Sequence, residues 1–501
     1  MSVIYADSVC KRGMCLLILG SALLSSSLEA RKLGQLDFHA CSLPVLQTSM
    51  TVSAQCATMK VPENPAQPKG RQIELALAWI PAKGEAEPDP VFMIAGGPGQ
   101  SALESYPSLH PVFFDVIKKR NIVLVDQRGT GKSNALICKN ATGKSAVGEN
   151  EAIASLDLNK AKLFAKNCAD QLSKRADPRF YSTGYAIGDL DLVRSKIGAD
   201  KINLYGISYG TRVAQQYAKR YPQHVRSIVL DGVAPNSLVL GAEHAINLEA
   251  ALNLQFARCT ADKVCRERFG NPRQKLDALR TQLEKAPIVV NYNDPMTGEA
   301  KQDKLDLGGM ATVARMYAYS PLTASMLPLL LTQASQGNAG PLLAQAEMMN
   351  QSLGDAIMHG MQLSVICSED ASELKADPAT AKTLIGNSMV SYLKAQCEVW
   401  PYAKREAGFR EPLKGNVPVL LLSGEFDPVT PPRYGDSVAN YLPNSRHLVF
   451  KGQGHNVMPV GCGPKIFARF IDSANAKTLD TKCLDALAYV PPFIGFYGWE
   501  P

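Results

Sequence analysis

The stretch Ile202-Asn203-Leu204-Tyr205-Gly206-Ile207-Ser208-Tyr209-Gly210-Thr211-Arg212-Val213 converts an apolar run into a helix across a single serine. The run 202–210 (INLYGISYG) reads as a strand buried on both faces that ends in a Gly-rich turn, and 211–221 (TRVAQQYAKRY) carries apolar residues at helical spacing. A turn that sharp strains the backbone of the residue at its tip and closes only with small residues on either side. Gly206 and Gly210 occupy those two places. A simple helix cap would account for the serine and leave both glycines unexplained. Ser208 is therefore a candidate nucleophile, with a helix amino terminus behind it that favours developing negative charge.

Outward from this turn, similar strands recur. They are IELALAWI (73–80), PVFMIAGGPG (90–99), NIVLVDQRGTG (121–131), RSIVLDG (226–232), PVLLLSG (418–424) and RHLVFKGQGH (446–455), most ending in a Gly-rich turn. Strand, turn, helix, strand predicts an α/β fold with a mostly parallel sheet flanked by helices. The ladder is interrupted once, between about Pro235 and Asn416, by a stretch rich in Ala, Leu, Met and Gln. An insertion of that size between late core strands reads as a mainly helical cap over the sheet. The expected organisation is a signal segment over 1–30, a first core part over 31–235, the cap over 236–416 and a second core part over 417–501.

The amino terminus predicts export. Lys11 and Arg12 precede the apolar run 14–24 (MCLLILGSALL), and small residues follow up to Ala30. A basic head, a short apolar segment and a small-residue exit are the parts of a secretory signal peptide, and about 20 apolar residues are needed to span a bilayer. No later run is long enough, so no membrane span is expected after signal removal and the mature chain is placed outside the cytoplasm, secreted or periplasmic.

Composition agrees. Of 501 residues 46% are hydrophobic and 20% charged, enough apolar material for a large core. The net charge of +7 comes from 53 basic and 46 acidic residues scattered along the chain, so no nucleic-acid arm is marked. Twelve cysteines without zinc or iron–sulfur spacing suit an oxidising compartment. Ten remain after the signal, and pairing neighbours gives the simplest scheme, each bond stapling one local excursion. The pairs are Cys41–Cys56, Cys138–Cys168, Cys259–Cys265, Cys367–Cys397 and Cys462–Cys483.

Three further features carry chemistry. The turn Gly96-Gly97-Pro98-Gly99 could aim backbone N–H groups at an oxyanion with no side chain in the way. Asp427 follows PVLLLSGEF and His455 follows HLVFKGQG, both just past the C-terminal ends of strands, where α/β proteins collect their sites. Glu425 and Asp231 are rival acids, and a loop, DPVTPP, begins at Asp427. DQRGTGKS (126–133) ends like a phosphate loop but has Asp126 where the first glycine belongs, so it supports no nucleotide site. Asp126 and Arg128 read instead as organisers of the turn.

Taken together, GGPG, DQRGTGKS, GISYG, SGEFDPVTP and GQGH resemble the proline-iminopeptidase branch of the α/β-hydrolases. More narrowly, the chain is similar to exported tripeptidyl-aminopeptidase-like serine peptidases of bacteria, over roughly 50–240 and 360–490. The resemblance implies an exopeptidase that releases short peptides or single residues from free N-termini. It implies Ser208 as nucleophile, Asp427 as triad acid and His455 as base, in the chain order of that fold. The backbone N–H groups of Tyr209 and Gly97 would then form the oxyanion hole. Neither metal nor organic cofactor is implied, and the partner is a peptide substrate. A small-ester hydrolase would use the same triad, and an inactive binding protein would not need all three residues intact. An aminopeptidase must hold a protonated amine, and Glu369 with Asp370, after Cys367 and Ser368, are the acids expected to do so.

Overall fold

A computed structural model describes residues 30–45, 48–138, 157–294 and 297–499. The expected signal segment lies outside the described residues, apart from Ala30. Among the described residues there are twelve strands: β1 (Arg31–Leu33), β2 (Leu36–Pro44), β3 (Thr51–Pro62), β4 (Gln72–Ile80), β5 (Val91–Ile94), β6 (Ile122–Val125), β7 (Ile202–Ile207), β8 (Val225–Asp231), β9 (Ile288–Asn293), β10 (Ala300–Leu305), β11 (Val419–Gly424) and β12 (Ser445–Phe450). Ten of them form one sheet in the order β1-β2-β3-β4-β6-β5-β7-β8-β11-β12. From β6 to β12 every neighbouring pair is parallel, whereas β1 to β4 and the β4–β6 pair are antiparallel.

The central strands VFMI, IVLV and INLYGI are buried along their whole length because both faces of the sheet are covered. Alternate residues feed two different layers. Phe92, Ile94, Leu204, Ile228 and Leu421 enter one apolar cluster, while Val91, Met93, Tyr205, Val229 and Leu422 enter the other. The first lies under the helices Thr183–Lys196 and Tyr209–Arg220, the second under Ala102–Leu109 and Gly463–Ser473.

Between β8 and β11 the insertion is mainly helical, with β9 and β10 adding an antiparallel ribbon that the sequence reading did not contain. It divides between two cores. Leu248, Leu252, Leu279, Met310, Val313, Leu330 and Leu343 make a cluster of their own. The helices His359–Glu369 and Ser388–Cys397 instead lend Met361, Val365 and Leu393 to a sheet cluster. The first group thus packs around a core of its own, separate from the clusters on the sheet.

All five neighbouring cysteine pairs are bonded, at sequence separations of 15, 30, 6, 30 and 21 residues. Among the described residues no helix is long and apolar enough to cross a membrane, and no group of three or more His, Cys, Asp and Glu is placed to hold a metal ion.

Candidate active site

The turn at Ser208 is as tight as its glycines require. Ser208 has φ 53° and ψ −119°, a left-handed backbone that a serine adopts only under strain. A methyl on Gly206 would stand 2.4 Å from the Gly210 carbonyl oxygen, and one on Gly210 would stand 2.4 Å from that of Ile94. Both contacts are impossible, so the serine tip exists only with glycine on each side. The Ser208 N–H donates to the Asp231 carbonyl at 2.8 Å, tying the tip to the end of β8.

His455 arrives from the loop after β12 and meets the same place. Its ring lies over Gly232, the residue after β8, where an added methyl would be 2.9 Å from Cε1. Its Nδ1 stands 2.7 Å from Asp427 Oδ2. A carboxylate only accepts, so Nδ1 carries the proton and Nε2 is left with a lone pair for a hydroxyl. Asp427 is held by its own loop: Oδ1 accepts from the N–H groups of Val429 and Thr430, both at 2.8 Å, and Oδ2 accepts from the Thr430 hydroxyl at 2.8 Å. Burial pushes the Asp427 carboxyl up, yet the adjacent imidazole and these donors outweigh it and bring it below the ordinary carboxylate range. Burial likewise lowers His455, and the Asp427 charge and hydrogen bond more than offset this, holding the imidazole above 6.5. Both directions describe one pair that favours imidazolium beside carboxylate.

The two rival acids hold the histidine loop instead of the histidine. Asp231, fully buried, accepts from the N–H groups of Val457 at 2.8 Å and Met458 at 3.0 Å, and from the Tyr205 hydroxyl at 3.2 Å. Glu425 accepts from the Gly452 N–H at 2.7 Å and the Tyr489 hydroxyl at 3.2 Å. All three acids thus fix the imidazole, one at its ring and two through its backbone.

The Gly-rich turn faces the serine. A methyl on Gly96 would come within 3.2 Å of both Ser208 Cβ and the Ile207 carbonyl oxygen, a tighter fit than ordinary packing, so the turn runs close against the serine. Gly97 has φ 101° and Gly99 φ 106°, conformations that side chains rarely adopt. Asp126 steadies the turn's far side through the Ser101 hydroxyl at 2.6 Å and the Leu103 N–H at 3.0 Å. Arg128 forks onto Asp189 with two bonds of 2.7 Å.

Glu369 and Asp370 require a correction. Their side chains are 1% and 0% exposed and both face Arg212 on the helix behind Ser208, Asp370 at 3.0 Å and Glu369 at 3.6 Å. Asp370 also accepts from Arg410 at 2.8 Å and from the Leu240 N–H at 3.1 Å. Glu369 accepts from the Thr183 N–H at 2.7 Å and its hydroxyl at 3.0 Å. The cation that two adjacent acids demand is a pair of arginines of the protein itself. With both side chains buried behind Ser208, neither is open to a substrate amine in this structure.

Sequence reasoning missed several residues. Thr430 was detectable, since an Asp followed by a hydroxyl three residues later is a turn that closes on its own carboxylate. Tyr319 had no signal: its carbonyl accepts the His455 N–H at 2.8 Å and its ring meets the imidazole edge-on at 5.2 Å. Asn247, whose amide donates to the Val429 carbonyl at 2.8 Å, was equally silent. Both belong to the cap, which therefore docks on the acid and histidine loops.

This geometry defines a serine hydrolase of the α/β-hydrolase fold, and comparison with known proteins gives the same class. The family described as "alpha/beta hydrolase fold" matches residues 89–266, and "TAP-like protein" matches 382–483. The serine protease Hip1 of Mycobacterium tuberculosis is 26% identical, over 85% of this chain and 86% of that protein. The tripeptidyl aminopeptidase of Streptomyces coelicolor is 31% identical over a shorter region, 36% of this chain and 35% of the relative. Carboxylesterase B of Mycobacterium tuberculosis is 26% identical over 85% of each chain. The chain thus has the α/β-hydrolase fold, with a C-terminal region similar to TAP-like proteins, and the proteins it resembles include a serine protease and a tripeptidyl aminopeptidase.

Proposed function

We propose that this protein is an exported serine exopeptidase that releases short peptides or single residues from free N-termini. The observation that carries the reading is the Asp427–His455 pair at 2.7 Å beside the strained Ser208 turn. Peptidases among the relatives favour a peptide as substrate.

In the first step Ser208 Oγ bonds to the scissile carbonyl carbon while its proton passes to His455 Nε2. Asp427 keeps the imidazole in the productive tautomer and stabilises the imidazolium. The oxyanion rests on the N–H groups of Tyr209 and Gly97. Collapse breaks the C–N bond, and His455 returns the proton to the departing amine. Water then repeats the sequence on the acyl-enzyme and regenerates Ser208. No step calls for a cofactor.

Export rests on the basic and apolar segment of residues 11–24 and on five bonded cysteine pairs. The second reading, a carboxylesterase, is favoured by the Carboxylesterase B relative. Steady-state kinetics on peptide naphthylamides with free or acetylated N-termini, beside short nitrophenyl esters, separates them. The exopeptidase reading predicts cleavage of free-amine peptides and loss of it on acetylation. Turnover of esters alone overturns it.

A further inference from the structure

The cap brings two nitrogen-bearing side chains to the triad that the mechanism above does not use. Arg315 lies in the last turn of the helix Leu307–Tyr317, four residues before Tyr319, whose carbonyl and ring both meet His455. His244 opens the helix His244–Ala261, three residues before Asn247, whose amide bonds the Val429 carbonyl beside Asp427. His244 and Asn247 are three apart on one helix and so share its face, while Tyr319 follows the end of the Arg315 helix by two residues and anchors that end on the His455 loop. Electrostatics agrees with that placement: burial pushes His244 down to about 3, with further lowering from Arg315 and His455, and Arg315 acts on His455 in the same sense.

Arg315 is half-buried, and it has no hydrogen-bond or ion-pair partner among the described side chains. The other arginines packed near the site differ: Arg128 is paired with Asp189, Arg212 with Asp370, and Arg433 with Glu243. Withdrawing a guanidinium from water without an anion is costly, so an unpaired one beside a catalytic centre fits a site completed by its ligand. The planar fork of arginine suits a carboxylate. His244, kept neutral, can add an uncharged N–H donor. Position selects which part of the substrate is held, because the imidazole hands its proton to the leaving amine and groups beside it face the leaving portion.

We propose that Arg315 and His244 form a carboxylate subsite on the leaving-group side of the triad. The preferred substrates are then short peptides whose released C-terminal portion carries a carboxylate close to the scissile bond. This assignment rests on the exopeptidase reading for its substrate class. It also explains why Glu369 and Asp370 are turned away: the specificity charge that the cap presents is positive.

The test uses the full-length protein and pairs of tri- to pentapeptides that differ only in a free C-terminal carboxylate or a C-terminal amide. Products are quantified by mass spectrometry. The expected kcat/KM ratio, acid over amide, is about tenfold or more in the wild type, the scale of a charged hydrogen bond. It falls toward one in Arg315→Met, and Arg315→Lys keeps part of it. A wild-type ratio near one, or a ratio that survives Arg315→Met, overturns the subsite. If Arg315→Met does not fold, Arg315→Gln takes its place, and the wild-type ratio stands alone as a test. If no peptide is cleaved, the exopeptidase reading has failed. The ratio is then read on esters whose departing alcohol carries a carboxylate or an amide, and a value near one removes the subsite as well.

Discussion

Asp427 meets the Ser208 region through His455, whereas Glu369 and Asp370 meet it through Arg212 on the helix behind the serine, and these partners separate their roles. Asp427 faces an imidazole, which can give and take a proton in the physiological range. Glu369 and Asp370 face Arg212 and Arg410, which keep their charge at any working pH. Both clusters are almost wholly inaccessible to solvent, so burial does not distinguish chemistry from architecture here. The proton on the partner does. Behind the serine, the arginine cluster ties the helix Tyr209–Arg220 to the helix His359–Glu369. Glu369 further reaches Tyr209 through Thr183, whose oxygen accepts from the Tyr209 hydroxyl at 2.7 Å. In the proposed mechanism one cluster serves the reaction, while the other holds the helix behind the serine.

Breaking the catalytic side should have the largest effect. Ser208→Ala and His455→Ala are each expected to lower kcat by about 10⁶-fold while thermal unfolding stays close to wild type, since triad members act as a unit. Next comes Asp427→Asn, with a loss of about 10⁴-fold. The same change should move the acid limb of the pH–rate profile downward: the carboxylate that raises the imidazole is gone, and burial, which lowers it, remains. Asp231→Asn probes the contrast. It leaves the Asp427–His455 bond in place and should cost far less turnover. A larger loss for Asp231→Asn than for Asp427→Asn would exchange their roles.

Breaking the structural side should move stability first. Arg212→Met leaves Glu369 without a cation and Asp370 with Arg410 alone, an expected cost of about 3–5 kcal/mol in denaturant unfolding above pH 7, where Glu369 would otherwise be ionised. Activity per folded molecule, counted by titration of the reactive serine, should change little in comparison. The smallest effect concerns pH. Burial pushes Glu369 up to about 7 from an ordinary 4.5, despite Arg212. An acid whose folded value is raised gives stability that is full below its unfolded value and lost as pH climbs through the folded one. Wild-type melting temperature should therefore decline between about pH 4.5 and pH 7 by more than it does in Glu369→Gln. Parallel declines would show that Glu369 is ionised throughout.

Much of this was legible in the sequence where one physical cause dominates. VFMI, IVLV and INLYGI announce strands covered on both faces, and Gly206 and Gly210 announce a turn that no other residue permits. The antiparallel edge was harder. LDFHACSLP in β2 buries Phe38 and Leu43 and leaves Asp37 and His39 to solvent, too weak an alternation to stand out. AKQDKL in β10 is almost wholly exposed and carries no strand signal. The acids at 369 and 370 were misplaced for a different reason. Their mutual repulsion correctly demanded a cation, but local sequence cannot show that Arg212, more than 150 residues earlier, supplies it. Tyr319, Asn247 and Arg315 stayed hidden likewise, because what they touch is decided by how the cap docks.

The central claim is that Ser208 is the residue activated by the Asp427–His455 pair. Incubation with a fluorophosphonate, followed by peptide mass spectrometry, tests it most directly. A single adduct on the peptide containing Ser208, formed by the wild type and lost in both Ser208→Ala and His455→Ala, is the predicted result. An adduct on any other residue, or labelling that persists in His455→Ala, would contradict it.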